Sequence, residues 1–528
     1  MFENLYRSNL NYAFFKEFFM KKKILLMLAI CVMLLALALT LAACDTDTDD
    51  SEATTTTTTT TTQAPKEFRV QFICPNNGGT VEGEAIQKIP EGETTAAVKA
   101  IPALGYSFVC WSNGELSPEI TVSPTEDTVI SAIFVTDTKE LPIIQINTQN
   151  NAAISTKDFY VDCCVSVSNA HHKYNFSKEM GKIKLRGNST AYLDKHPYKL
   201  KFEEKVDLFG NGEAKTWTLI ANYLDCSQIR NYLAFSLGEA LGLQYTTSFQ
   251  FVELYLNGVY DGVYLVCEQI EVKKHRVDIE DSLDSAPKDT GYLIELDARA
   301  PSEGVEDKDF FYLEGLDIPY AIKSPDTEDE KFTSEHVEYI KGYMQACLAA
   351  LDSDDYNKII GLIDVESFAK SYIINELFNN NDVRGFSFYM YKNKDGKLFS
   401  GPIWDYDLSV GNTDDKNCAN PETMWAGDVN PWYNKLLNYT DFRYLVCSTL
   451  ENYKDDITDT INDCVEYVNS NENSFNRNFD RWDILGKDYG YPPDELDSIQ
   501  TWGGHVSYVV DWLENSLSAL TNEYPAPQ

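Results

Sequence analysis

Residues Asn379–Asn412 read NNNDVRGFSFYMYKNKDGKLFSGPIWDYDLSVGN, and the rest of the chain is interpreted around them. Two aromatic-rich runs, Phe386–Lys392 and Leu398–Trp404, flank the polar turn sequence Asn-Lys-Asp-Gly. Asp-Gly supplies the positive φ that a tight turn needs, so this pattern predicts a β-hairpin. A hairpin returns the chain to its starting point, and we therefore expect Asp405 to lie beside Asp382.

Three carboxylates near the ends of this hairpin predict a site for a hard cation. Asp382 lies 23 residues before Asp405, and Asp407 follows two residues later. Carboxylate oxygens are the ligands that Mg²⁺ and Ca²⁺ prefer in proteins. The residues alone leave two interpretations open, a structural Ca²⁺ site and a catalytic Mg²⁺ site.

The charge balance of the chain limits its partners. Asp and Glu number 82 against 44 Lys and Arg, which gives a formal net charge of −38. Proteins bind nucleic acid by neutralising phosphates with basic side chains, so nucleic acid is not expected as a partner. A soluble acidic surface, cation binding or a basic protein substrate all suit this balance.

One short region is basic in spite of this balance. Two stretches that alternate apolar and basic residues flank the loop Gly187-Asn-Ser-Thr, and the pattern predicts a pair of strands. The basic residues are Lys182, Lys184, Arg186, Lys195, Lys199 and Lys201. Such a pair could bind phosphates through its charges and the N–H groups of the loop, or it could simply expose a charged face. Because side chains alternate along a strand, Lys199 and Lys201 should point the same way.

The N-terminal 44 residues have the features of an export signal. The basic Lys21–Lys23 precede an apolar run, Ile24–Ala43, which ends in Leu-Ala-Ala before Cys44. This ending resembles the lipobox of bacterial lipoproteins, which implies that Cys44 is lipidated and that residues 1–44 are a lipoprotein signal segment. The alternative is a transmembrane anchor, because the run is just long enough to span a bilayer. The interpretation that we favour is an exported lipoprotein, anchored to the membrane and located on the cell surface.

A linker and a small β region follow the signal. Residues 45–65 form a Thr-rich linker, since a run of threonines cannot build a core. Residues 66–138 alternate apolar and polar positions between Gly, Asn and Pro turns, which predicts a small all-β domain. Its sequence from Gly105 to Gly114, GYSFVCWSNG, resembles the divergent internalin B-type repeats of bacterial surface proteins. Export permits disulfides, and Cys74 with Cys110 is one plausible pair.

Residues 139–528 mix strand and helix patterns, so we expect an α+β domain. A helix is predicted over Asp225–Leu243, with Asp225 or Ser227 as its cap. Asn257-Gly258 predicts a second hairpin, and residues 330–381 are expected to be largely helical. Two more helices, over 441–470 and 507–523, should complete a C-terminal lobe.

Several ordered motifs of this domain resemble the spore coat protein H (CotH) kinase family. They are Lys-Leu-Arg-Gly-Asn-Ser-Thr from Lys184, Pro-Tyr-Lys-Leu-Lys-Phe from Pro197, the stretch Asp225–Asn231, Gly-Val-Tyr-x-Gly-Val-Tyr-Leu-Val-x-Glu-Gln-Ile from Gly258, and Gly-Pro-Ile-Trp-Asp-Tyr-Asp-Leu-Ser-Val-Gly-Asn from Gly401. The resemblance implies a divergent protein-kinase-like, two-lobed domain. It also implies that ATP and Mg²⁺, or Mn²⁺ in its place, serve to phosphorylate Ser or Thr of exported surface or spore-coat-type proteins.

The resemblance also implies roles for the acidic residues. Asp382 matches the catalytic aspartate of the family, and Asp405 matches its metal-binding aspartate. Asp407 completes the Trp-Asp-Phe-Asp pattern as a second metal ligand, with Tyr406 in place of Phe. Ser387 stands where many family members carry Asn, so an amide ligand for the metal is absent here.

The resemblance also implies that basic residues hold the nucleotide phosphates. Arg186, Lys199 and Lys201 all lie in the matching strands. Glu268 would sit near the nucleotide or anchor the following segment.

Two further classes of function compete with a kinase. ATP is scarce outside a cell, so a catalytically silent cell-surface binding or adhesion protein on the same fold is the main alternative. Asp405-Tyr-Asp407 could also be the Asp-x-Asp of a glycosyltransferase, although the ordered set of motifs does not fit that class.

Overall fold

The chain has an N-terminal region made of strands and a mixed α+β region that ends in helices, as predicted. It is described from a computed structural model, which covers residues 66–74, 78–103, 106–136, 140–170, 174–301, 308–487 and 493–526. The apolar run Ile24–Ala43, Cys44 and the Thr-rich linker lie outside the described residues. None of the helices in the described part of the chain has both the length and the apolar character needed to cross a bilayer.

The N-terminal region contains two small sheets, with strand orders β3-β1-β7-β5 and β2-β4-β6. The strands are Glu67–Ile73 (β1), Gly79–Glu82 (β2), Ile86–Pro90 (β3), Val98–Pro102 (β4), Tyr106–Trp111 (β5), Glu119–Ile120 (β6) and Thr128–Thr136 (β7). Trp111 is fully buried, and the rings of Phe72 and Phe108 pack edge-on against it at 5.8 and 5.9 Å. The region is all-β, as the alternating apolar and polar pattern predicted.

The expected bridge between Cys74 and Cys110 is wrong. Cys110 is a buried free thiol that lies 3.3 Å from the hydroxyl of Ser168 and 2.9 Å from the side-chain amide of Gln145. Its burial raises the pKa of the thiol to about 11. Cys110 therefore contributes to the contact with the next region of the chain and is not part of a cross-link within the repeat.

A closed barrel of seven strands follows, with the order β10-β11-β12-β14-β13-β8-β9. The strands are Ile143–Thr148 (β8), Val161–Ser168 (β9), Phe176–Leu185 (β10), Tyr198–Asp207 (β11), Glu213–Ile220 (β12), Phe249–Leu256 (β13) and Val259–Glu268 (β14). Large apolar side chains such as Trp217, Leu200 and Tyr264 fill its interior. The predicted turn at Asn257-Gly258 joins β13 to β14, and both residues have positive φ, as a two-residue hairpin turn requires.

The predicted basic strand pair is β10 with β11. Lys184 lies opposite Lys199, and Lys182 lies opposite Lys201. The apolar residues that alternate with these lysines, such as Ile183, point into the barrel. The four lysines therefore share its outer face. The strand alternation thus fixes which side of the sheet carries the charge.

The barrel and the repeat region pack together into one compact unit, Pro65–Gln528. The buried apolar residues of this contact are Cys110, Ile133, Ile143 and Tyr255. Asn147 of β8 also donates from Nδ2 to the carbonyl of Ser112 at 2.7 Å. The repeat is therefore joined to the barrel through a small core of its own.

The helix after the barrel strand β12 begins later than predicted. It spans Arg230–Ala240 (α1), and Ile229 precedes it without a side-chain cap. Asp225 instead accepts hydrogen bonds from the N–H groups of Ser227 and Arg230, and Gln228 has a φ of 67°. This compact turn uses the residues that were expected to form the first helical turns.

A second sheet carries the hairpin that was predicted over residues 386–404, and its strand order is β16-β17-β15-β18-β19. Its strands are Tyr292–Leu296 (β15), Phe310–Phe311 (β16), Tyr320–Ser324 (β17), Phe388–Lys392 (β18) and Leu398–Ser400 (β19). The hairpin β18–β19 is therefore present, with shorter strands than predicted. The positive φ of its turn falls on Asp395, at 53°.

Helices surround this second sheet and complete the chain. They are Ser334–Leu351 (α2), Tyr356–Leu362 (α3), Val365–Phe378 (α4), Ala426–Val429 (α5), Pro431–Leu436 (α6), Thr440–Asn469 (α7), Glu472–Arg481 (α8), Asp494–Asp497 (α9) and Trp502–Glu523 (α10). Of these, the short helices α5, α6 and α9 and the ten-residue α8 were not predicted, and α8 has the clearest structural role. It packs against β14 of the barrel and so links the C-terminal helices to the N-terminal half of the domain.

Candidate active site

Asp382 lies in a short 3-10 turn, Asn381–Arg384, directly after α4. The left-handed conformation of Asn379, with a φ of 43°, ends that helix. The side chain of Asn380 then accepts a hydrogen bond from the N–H of Asp382 at 3.1 Å. These local interactions hold the half-buried carboxylate of Asp382 at the start of the hairpin segment.

Asp405 lies where the chain leaves the same hairpin. Its φ is 69°, a left-handed conformation that Asp tolerates better than most residues. Its Oδ2 accepts a hydrogen bond of 3.0 Å from the hydroxyl of Ser387, whose own φ is 50°. Ser387, the departure from the family pattern, therefore contacts the residue to which the metal role is assigned. Backbone strain of this kind is concentrated at functional sites.

The three aspartates influence one another electrostatically. Burial, and then the charge of Asp405, raises the pKa of Asp382 above its ordinary value, while Arg299 and Arg384 act in the opposite direction. Burial and the neighbouring carboxylates likewise raise the pKa of Asp407 well above the usual range. The hairpin therefore does bring its two ends together, and Arg299 and Arg384 offset only part of the negative charge of the resulting cluster.

A small cavity of about 40 Å³, partly open to solvent, lies between the barrel and this cluster. Its lining residues are Arg186, Thr190, Lys195, Pro197, Ile220, Ala221, Asn222, Tyr223, Asn231, Trp404, Asp405 and Asp407. The guanidinium of Arg186 lies 5.5 Å from the ring centre of Trp404, so the end of β10 reaches the residue before Asp405. The structure thus brings one predicted phosphate-binding residue into the same cavity as both predicted metal ligands.

Lys199 and Lys201 do not line this cavity. They lie further along the outer face of the barrel, where Lys199 is half-buried and Lys201 is exposed. Burial lowers the pKa of Lys199; Glu271 opposes this effect, and the neighbouring cations Lys184, Arg186 and Lys201 add to it. The three sequence-predicted bases therefore share one positive face, of which Arg186 is the member nearest the aspartates.

Glu268 is separated from the carboxylate cluster. It ends β14, is 5% exposed, and accepts a hydrogen bond from the N–H of Ser248 at 3.2 Å. Its burial raises the pKa of the carboxyl to about 7, and the charge of Arg276 opposes part of this shift. Glu268 and Arg276 line a different cavity, together with Pro402. Of the two roles left open for Glu268, this position favours an anchor for the segment after β14.

Lys195 is a cavity residue whose role the sequence did not reveal. Its ammonium donates to the carbonyl of Val263 at 2.5 Å and to Asn478 Oδ1 at 2.9 Å, and it lies 4.7 Å from the ring centre of Tyr264. A Cβ at Gly262 would meet Asn478 Oδ1 at 2.6 Å, so this close packing requires glycine. Lys195 thereby ties the loop between β10 and β11 to both β14 and α8.

Replacing Lys195 should change how stability depends on pH. Burial lowers the pKa of Lys195 to about 7, although Asp261 opposes the shift, whereas an unfolded lysine titrates near about 10.4. Between these values the unfolded chain binds the extra proton, so this group makes the free energy of unfolding rise from about pH 7 to about pH 10. Lys195→Met should flatten that rise in urea titrations at several pH values. Equal slopes for both proteins would contradict the assignment, and Lys178→Met, at an exposed position, is the matched control.

Helix α1 supports the segment that carries the metal ligands. The Oδ1 of Asn231 accepts a hydrogen bond of 2.9 Å from the N–H of Tyr406. Arg230 donates to the carbonyls of Ser409 and Val410 at 2.9 and 3.0 Å. The Asp225–Asn231 motif is therefore a connection between the barrel half and the residues that flank Asp407.

The C-terminal helix also reaches this region. The indole of Trp502, in α10, donates to the carbonyl of Ser227 at 3.0 Å. A Cβ at Gly411 would meet Tyr508 and Trp512 of the same helix at 2.1 and 2.7 Å, so the loop after Asp407 packs closely against α10. The helices that carried no recognisable motif thus hold the candidate site in place.

These features define a mixed α+β protein with a carboxylate-lined cleft beside a basic strand pair. Within that class, residues 183–520 match the family described as CotH kinase protein, and residues 68–138 match the divergent InlB B-repeat domain. The first match spans more than half of the chain, which therefore belongs to the CotH kinase family. The resemblances to the CotH kinase family and to the internalin B-type repeats are thereby confirmed. A search of curated proteins finds none that matches the chain.

Proposed function

We propose that the protein is an atypical protein kinase that transfers the γ-phosphate of ATP to Ser or Thr of exported surface or spore-coat-type proteins. The observation that carries the proposal is the cavity that Arg186 shares with Asp405 and Asp407, next to Asp382. Phosphoryl transfer depends on alignment and charge neutralisation more than on covalent participation of the enzyme. Arg186 on one wall of the cavity and the carboxylates on the other would supply alignment and charge neutralisation.

In this proposal the oxygen of the substrate hydroxyl forms a bond to the γ-phosphorus. The bond from that phosphorus to the β–γ bridging oxygen breaks, and the bridging oxygen leaves with the electron pair as part of ADP. Asp382 orients the hydroxyl and accepts its proton, as the catalytic-loop aspartate does in protein kinases. Arg186, with Lys199 and Lys201 on the same face, attracts the phosphate chain.

The residues fit a magnesium ion. Asp405 and Asp407 share the cavity, and the raised pKa of Asp407 reflects its burial and the neighbouring carboxylates. Within the described residues, no three His, Cys, Asp or Glu side chains form a metal site by themselves. Mg²⁺ commonly binds one or two carboxylates together with substrate phosphates and water, so two aspartates suffice. When bound, the ion would neutralise charge on the phosphate oxygens.

The order of the elements supports a two-lobed, kinase-like arrangement. Helix α1 follows the consecutive strands β10, β11 and β12, as helix αC follows strand β3 in protein kinases. One feature differs from protein kinases. The acidic residue of α1, Glu239, is exposed in the last turn of the helix and is not placed to form a lysine–glutamate pair. Arg230 and Asn231 at the start of α1 would instead couple the two lobes directly.

The proposed location follows from the N-terminal sequence. A lipid on Cys44 would hold the chain at the membrane, and the Thr-rich linker would separate the folded part from it. The partners are then the membrane, through this anchor, and an exported protein that offers Ser or Thr hydroxyls.

Incubation of the purified chain with γ-labelled ATP and a Ser/Thr-rich exported protein tests the proposal. We expect label on the protein substrate in the presence of Mg²⁺ or Mn²⁺ and none when a chelator is added. Absence of label, together with no rise in melting temperature on adding Mg²⁺ and ATP, would overturn the proposal. That result would favour the alternative of a catalytically silent binding or adhesion protein on the same fold.

A further inference from the structure

Arg299 lies beside the catalytic hairpin although it is 83 residues away from Asp382 in the chain. The N–H of Ala298 donates to the carbonyl of Gly385 at 2.8 Å, which joins the end of β15 to the turn that carries Asp382. The N–H of Phe386 in turn donates to the carbonyl of Asp382 at 2.8 Å. The backbone therefore places Arg299 at the edge of the candidate site.

The guanidinium of Arg299 is held from two sides. Its Nε donates to Asp297 Oδ1 at 2.9 Å, and its plane lies over the ring of Phe386, 4.8 Å from the ring centre. Its two terminal nitrogens donate to no other group among the described residues. The side chain is 42% exposed, so a ligand can reach these nitrogens.

The charges that act on this guanidinium include those of the candidate site. Burial lowers the pKa of Arg299, but the charges of Asp297, Asp382 and Asp405 outweigh burial and raise it. Arg299 is therefore within electrostatic reach of both the proposed base and the proposed metal ligand. Arg384 also lies near Asp382, but it is paired with Asp415 at 2.8 Å.

We infer that Arg299 is a catalytic cation, which binds the γ-phosphoryl group during its transfer from ATP to the substrate hydroxyl. This inference rests on the proposed kinase activity. In the transition state, negative charge is spread over the three equatorial oxygens of the phosphoryl group as the bond to the bridging oxygen breaks and the bond to the hydroxyl oxygen forms. A guanidinium presents two parallel N–H donors that match two of these oxygens. Because Asp297 and Phe386 fix its orientation beforehand, little reorganisation is needed when the charge develops.

Two variants, Arg299→Lys and Arg299→Ala, test the inference in the full chain. An arginine that stabilises phosphoryl transfer contributes about 10³–10⁵-fold to kcat in the enzymes where it has been measured, and we expect at least about a hundredfold loss in both variants. The KM values for ATP and for the protein substrate should change far less than kcat. Added guanidinium ion at millimolar concentration should restore part of the activity of Arg299→Ala and none of that of Arg299→Lys.

The outcomes separate this inference from the proposed function. If the unaltered chain transfers no phosphate, both fail. If it does transfer phosphate and the variants retain its kcat, Arg299 is not catalytic and the kinase proposal stands. A raised KM for the protein substrate with an unchanged kcat would also overturn the inference, since Arg299 would then bind the substrate protein. Melting temperatures establish that the variants are folded, and Arg443→Gln, at an exposed arginine in α7, is the control for loss of a surface charge.

Discussion

Asp382→Asn should lower kcat for phosphoryl transfer by about 10²–10⁴-fold, the usual contribution of a general base. Asparagine has nearly the same shape, and the hydrogen bond from the N–H of residue 382 to Asn380 does not involve the altered group. The turn should therefore keep its structure. Affinity for Mg²⁺ and ATP should remain close to that of the unaltered chain, because the replaced carboxylate is assigned to the substrate hydroxyl. Single-turnover transfer and calorimetric nucleotide binding measure the two quantities separately.

Asp405→Asn should have a different signature and is the matched comparison. Its carboxylate is a proposed metal ligand, so this variant should lose the Mg²⁺-dependent part of nucleotide binding as well as transfer. The hydrogen bond from Ser387 can still be accepted by the amide oxygen, which limits structural damage. If both variants lost transfer and kept Mg²⁺-dependent binding, the metal role assigned to Asp405 would be wrong.

The hairpin could be predicted because its signals are local. Strand alternation and an Asp-Gly turn fix β18 and β19, and a hairpin necessarily brings its ends together. The second strand was predicted to reach Trp404, because the residues before Asp405 are mostly apolar. These residues do not pair as a strand, so the prediction was too long. The same locality explains why Lys199 and Lys201 were correctly predicted to point the same way.

Residues that act through contacts between distant parts of the chain could not be predicted from local sequence patterns. Lys195 is one of six neighbouring basic residues, and its burial depends on Asn478, 283 positions later. Arg299 reaches the site through a backbone pairing between Ala298 and Gly385. Propensity and spacing describe neighbours in the chain, so neither contact can be inferred from them.

At the start of α1, Asp225 could either cap a helix or pair with a buried cation. Helix propensity does not decide between the two. Asp225 has the right chemistry for an N-cap, and the apolar positions that follow repeat at helical spacing. In the structure its carboxylate binds the guanidinium of Arg230 inside the protein, where the two side chains are 0% and 1% exposed. Burying a carboxylate without a counter-charge costs more free energy than leaving a helix without a cap. The helix therefore begins at Arg230.

Arg230→Met should be the most destabilising single replacement of those considered for this chain. It removes the counter-charge of a fully buried carboxylate and leaves the carbonyls of Ser409 and Val410 without their donors. Breaking a buried ion pair in this way typically costs about 3–5 kcal/mol of unfolding free energy. The loop after Asp407 should also loosen, so phosphoryl transfer should fall even at temperatures where the variant stays folded.

Urea unfolding of the Arg230 variant measures the loss of stability, and a second arginine provides the matched control. Arg443 pairs with Glu523 at 3.3 Å, but both side chains are 46% exposed, so water screens their attraction. Arg443→Met should therefore cost no more than about 1 kcal/mol. Equal losses for the two variants would mean that burial does not decide the strength of the Asp225–Arg230 pair. Asp225→Asn combined with Arg230→Met should recover part of the stability, because the double variant no longer buries an unpaired charge.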